Sequence, residues 1–131
     1  MVFISPEHRN RFIAAISNIG KIYNGKFDPE YASALFILTA HLGTWKKTRD
    51  YVDNHGISFE EILKDIDFSG GYSVLIKLAS NLFNGNEHID PLEFLRLDDA
   101  NFELAISAIR MRRDGYSTAQ AMRDELAQEE E

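Results

Sequence analysis

A chain of 131 residues with 44% apolar and 27% charged content fits one globular domain whose core needs no disulfide or metal to hold it. The absence of cysteine excludes thiolate nucleophiles, cysteine-type zinc sites and a disulfide framework, and no apolar run reaches the length of a bilayer span. The net charge of −7 is uneven, with seven Lys/Arg against five Asp/Glu in residues 1 to 53 and seven against sixteen in residues 54 to 131. An acidic second half repels phosphate backbones, so nucleic acid is not an expected partner, and neither is a membrane.

The first four residues give way directly to the polar "SPEHRNR", without the basic start and apolar stretch of a leader, so the expected location is cytoplasmic. Ser5-Pro6 then opens a helix lined by Phe12, Ile13, Ile16 and Ile19 and stopped by Gly20. Asp28-Pro29 opens a second, where Tyr31, Leu35, Leu38 and Leu42 form a stripe that Ala34, Ile37 and Ala40 widen almost all round. That helix is expected at the centre, with Gly43 as its stop. Thr44 and Ser58 start two more, Ser58 with Glu61 as a capping box and Gly56 as the break between them. As a DNA-binding helix-turn-helix this stretch would press Glu60, Glu61 and Asp65 on phosphates against a lone Lys64, so an ordinary helical hairpin is the expectation.

Ser69 starts a core helix with Val74, Leu75, Leu78, Ala79, Leu82 and Phe83 inside and Ser73, Lys77, Ser80 and Asn84 on the wet side, closed by Gly85. Asp90-Pro91 opens the next segment. Asp98 opens another that buries Phe102, Ala105, Ile106 and Ile109 and stops at Gly115, and Ser117 opens the last. No alternating run suggests a strand. The pattern predicts an all-α fold, a single irregular bundle of seven to eight helical segments, with a core at 1–113 and a C-terminal amphipathic helix and acidic tail at 114–131.

Two stretches approach the oxygen spacing of a calcium loop. Asp65, Asp67, Ser69 and Gly70 match its positions 1, 3, 5 and 6, but Ile76 stands where the bidentate glutamate belongs. Asn84, Asn86, Asp90 and Glu93 match positions 3, 5, 9 and 12, but Leu82 replaces the first carboxylate and Glu87 the turn glycine. Each lacks what the other has, and helix ends account for the same residues. None of His8, His41, His55 or His88 has an acid or histidine three or four residues away, so helical metal motifs are locally excluded. No nucleophile elbow, phosphate loop or dinucleotide fingerprint occurs, and neither a cofactor nor a catalytic residue is assigned.

The segments "FISPEHRNRF", "LFILTA", "LIKLASNLFNG" and "LDDANFELAISAIRMR", spread over residues 3 to 113, resemble an uncharacterised family of small helical proteins from Gram-positive bacteria and their phages or mobile elements. That resemblance implies one helical domain and a phage-accessory setting, and it carries no site residue. The expected function is a small non-enzymatic interaction or regulatory protein with a protein partner. Its candidate contacts are Tyr116, Met122 and Leu126 on the thin stripe of the last helix, and Arg110 and Arg113 of the basic cluster. The alternatives are an enzyme assembled from distant polar groups such as His41, Asn81 and Arg110, or a degenerate calcium binder. A homodimer is compatible with the terminal helix, although no heptad run argues for a coiled coil.

Overall fold

The computed structural model describes residues 3–130, and the closing glutamate run lies outside the described side chains. The three prolines act as their capping partners dictate. Ser5 Oγ accepts from the His8 N–H at 3.0 Å to open α1 (Pro6–Asn18), and Asp28 accepts from Glu30 and Tyr31 at 3.0 and 3.2 Å to open α2 (Pro29–Leu38). Asp90 accepts from Leu92 at 2.9 Å, but the segment it opens, Pro91–Arg96, is a 3-10 helix rather than an α-helix. The other helices are α3 (Leu42–Thr48), followed by a 3-10 turn Arg49–Tyr51, α4 (Phe59–Asp65), α5 (Gly70–Asn84), α6 (Asp99–Asp114) and α7 (Thr118–Glu130).

The result is an all-α bundle. Residues 31–40 are buried without interruption, and α2 packs chiefly against α5 and α6, which is what an apolar stripe on all sides of a helix requires. At one end of this core Phe3, Phe12, Phe27, Phe36 and Tyr116 form a cluster of aromatic rings with centroids 5.4–6.2 Å apart, several of them edge-on.

Several local expectations are corrected. Gly43 lies inside α3, which begins at Leu42 rather than Thr44, and Ser58 precedes α4 without a side-chain cap bond. Ser80 is 3% exposed instead of wet. On α6 the core face is Leu104, Ala105, Ala108 and Met111, leaving Phe102 exposed; the small alanines let this helix sit close to α2, so closeness of approach outweighs ring size.

The expectation of no strand is also overturned. β1 (Ile22–Tyr23) and β2 (Lys26–Phe27) form a hairpin whose two turn residues, Asn24 and Gly25, both have positive φ (52° and 77°), the conformation that Asn-Gly favours because it matches strand twist. β3 (Val52–Asp53) and β4 (Gly56–Ile57) form a second. Its turn is closed differently, by the Asp53 carboxylate accepting from the N–H groups of His55 (2.8 Å) and Gly56 (3.1 Å). Gly56 is therefore a strand residue, not a helix stop.

The hairpins stand in equivalent positions. Each follows a helix and precedes another, and matched residues lie thirty apart: Ile22 with Val52, Phe27 with Ile57. The bond that closes the base is repeated as well, Asp28 N–H to Lys21 O and Ser58 N–H to Tyr51 O, both at 3.0 Å. The chain thus holds two copies of a helix–hairpin–helix unit, α1 to α2 and α3 to α4.

Candidate functional site

The terminal helix is attached through backbone. Phe27 N–H donates to Tyr116 O at 3.0 Å and Thr118 N–H to Gly25 O at 2.9 Å, so residues 116–118 add a short antiparallel strand to the outer edge of β2. Tyr116, 3% exposed, is thereby placed in the aromatic cluster, where its hydroxyl donates to Asp124. Burial, with the Asp124 bond second, pushes its pKa far up. As an expected partner contact Tyr116 is corrected: it is an internal anchor, buried in the core. The boundary at 113/114 falls within the last turn of α6, and residues beyond it, Tyr116 and Ala121, belong to the core.

This docking leaves a groove of about 450 Å³ between α1 and α7. Successive turns of α1 present Asn10, Ile13, Ala14 and Ser17 to it, and α7 presents Thr118, Ala121 and Met122 at helical spacing. Ile22 and Phe27 of the first hairpin line it too. An Arg9–Glu125 pair at 3.7 Å crosses between the two helices. Met122 is 65% exposed, and Leu126, one turn further along α7, is 58% exposed. Two of the residues singled out on the terminal stripe therefore do lie on a free surface, one of them in the groove.

The arginines do not form one patch. Arg113 pairs with its neighbour Asp114 at 2.6 and 2.9 Å; that hydrogen bond raises the arginine's pKa and lowers the carboxyl's. Arg112 donates to Leu82 O at 2.8 Å, satisfying a carbonyl in the last turn of α5. Arg110 is exposed beside Glu103 and Asp114 in a separate recess. The same device recurs at α2, where Arg11 donates to Thr39 O and Ala40 O at 2.8 and 3.0 Å. Neither role was read from the sequence, because an arginine bonding a carbonyl some thirty residues away has no local signal.

The groups proposed for an enzyme have separate partners. His41 bonds Asn101 Oδ1 at 3.0 Å and meets the edge of Tyr72, while Asn81 donates to Glu87 O at 2.7 Å. Among the described residues no three or more His, Asp or Glu side chains gather as a metal site. Of the calcium candidates, Asn84 accepts from Asn86 N–H at 3.0 Å, Glu93 pairs with Lys77 at 3.6 Å, Asp65 accepts from Tyr51 at 3.5 Å, Ser69 is the cap position of α5, and Asp67 is exposed. Gly85, with φ 75°, ends α5, so Asn84-Gly85-Asn86 marks the stop of one helix.

His8, in the first turn of α1, is fully buried. Its Nδ1 accepts from Ile4 N–H at 3.1 Å, which fixes the tautomer, and Nε2–H donates to Phe36 O at 2.7 Å. Burial lowers its pKa to about 4, partly offset by the bond to Phe36.

No family model, curated protein or solved structure matches the chain. Among the described residues no helix is long and apolar enough to cross a membrane.

Proposed function

We propose that this chain is a small non-enzymatic interaction module, of the phage or mobile-element accessory kind that the sequence resemblance implies, and that it receives an amphipathic helix of a partner protein along the α1–α7 groove. The observation that carries this reading is the apolar line that leads from half-buried Ile13 and Ile22, beside the buried Phe27 in the groove lining, to the exposed Met122 and on to the exposed Leu126. A helix laid in such a groove inserts side chains at i, i+3, i+4 and i+7, and the groove walls are themselves two helices of that periodicity. The enzymatic alternative draws no support from His41, Asn81 and Arg110, which have separate neighbours.

The test is an affinity capture from lysate with the wild type and with Met122→Glu/Leu126→Glu as baits. Both positions face solvent, so the variant should fold with stability changed by less than about 0.5 kcal/mol per site. A partner held by the wild type and lost by the folded variant supports the reading; equal recovery overturns it. Truncation at Asp114 is unsuitable, since it removes Tyr116 from the core.

A further inference from the structure

The two helix–hairpin–helix units differ in one respect: the outer edge of the first hairpin is hydrogen-bonded to residues 116–118, and that of the second has no such bonds among the described residues. In both hairpins the residue pair next to the closing bond, Ile22–Phe27 and Val52–Ile57, is the non-hydrogen-bonded kind, so the N–H of Phe27 and of Ile57 points away from its partner strand. Phe27 N–H is taken by Tyr116 O, and Gly25 O by Thr118 N–H. The equivalent groups of the second unit, Ile57 N–H and His55 O, have no hydrogen-bond partner among the described residues.

A groove of about 420 Å³ runs beside this open edge. Ile57, Phe59 and Ser80, each 7% exposed or less, contribute its buried lining, and Glu60, Glu61 and Glu87 its charge; no lysine or arginine lines it. We infer that the β4 edge is a second docking site, for an extended basic peptide of another protein that adds one antiparallel strand to β4. Its backbone would repeat what residues 116–118 do on β2: a carbonyl accepting from Ile57 N–H, and two residues later an N–H donating to His55 O. Lysine or arginine on either side would meet the glutamates at low cost, whereas an acidic chain, including a second copy of this one with net charge −7, would be repelled. The edge shares no lining residue with the α1–α7 groove, so the two sites stand or fall separately.

The test uses the full chain, 15N-labelled, and the peptide Lys-Lys-Tyr-Ser-Thr-Lys-Lys, which places this protein's own edge-covering triplet between basic flanks. Saturable shifts at the amides of Gly56 and Ile57 are expected, with slower solvent exchange at Ile57. Glu60→Lys/Glu61→Lys, at two exposed positions, should weaken binding about tenfold or more, as should N-methylation of the peptide threonine. No response at Ile57 with about 1 mM peptide, a Kd range that even weak strand addition reaches, overturns the inference. So does equal binding of the glutamate-flanked or N-methylated peptide. Shifts confined to Ala121 and Met122 would do the same, and so would protection of Ile57 that grows with protein concentration alone, which assigns the edge to a second copy.

Discussion

Acidification should draw on His8. The buried ring is held neutral from both sides, by Ile4 N–H at Nδ1 and Phe36 O at Nε2, and Phe3 and Phe36 stack edge-on or tilted against it at 5.1 and 4.7 Å. A proton on Nδ1 would set a donor against the Ile4 donor and place a charge among rings, with the positive charge of Arg11 also opposing it. The native pKa is lowered to about 4, whereas the unfolded value is 6.5, so below 6.5 the unfolded chain binds a proton that the native state refuses. The stabilisation is therefore complete above pH 6.5 and declines as pH falls toward 4, by about 3 kcal/mol in all. For a chain of this length that is about 10 °C in Tm. Urea unfolding at intervals from pH 7.5 to 4, with the His8 Cε1–H resonance followed in parallel, measures both sides of the linkage. A resonance that titrates near 6.5, or a His8→Gln variant with the same pH slope as the wild type, would refute the reasoning.

Three other outcomes follow from the geometry. Tyr116→Phe, losing a buried bond to the Asp124 carboxylate, should cost about 1.5–3 kcal/mol in denaturant unfolding, and Tyr116→Ala about 3–5. Gly25→Ala should lower stability by about 1–2 kcal/mol, since φ is 77° and the added Cβ would sit 3.4 Å from Thr118 Oγ1; an unchanged midpoint would count against the Asn-Gly turn. Calcium should leave Tm unmoved, because Glu93 is committed to Lys77 and the Asn84 side chain to Asn86; a rise of several degrees reversed by chelator would contradict this.

Legibility in the sequence followed the range of each interaction. Caps such as Ser5, Asp28 and Asp98 act within three residues of themselves and could be read directly, as could α2, whose apolar faces leave it nowhere but the centre. The hairpins were missed because strands of two residues are too short to show alternation; the available signal was the Asn24-Gly25 dipeptide between Ile22-Tyr23 and Lys26-Phe27. The thirty-residue repeat was hidden because its halves share backbone bonds more than side chains, Phe27 standing against Ile57 and Pro29 against Phe59. On the terminal segment the stripe of Met122 and Leu126 is exposed, as a partner contact requires, but Tyr116 precedes the helix and its burial depends on Phe3, Phe12 and Phe27 from the far end of the chain. His8 went inside for the same reason.

The strand that covers β2 also sets a schedule. Gly25 and Thr118 are separated by 93 residues, so at about 5–20 residues per second a nascent chain would display the first hairpin and its ring cluster for roughly 5–20 s before residues 116–118 are made. Over that interval Phe12 and Phe27 lack their lid, and the β2 edge is as bare as the β4 edge remains. The vulnerable period of this protein is thus its own synthesis, and substitutions in residues 116–118 should reduce yield in the cell by more than their effect on the finished fold would suggest.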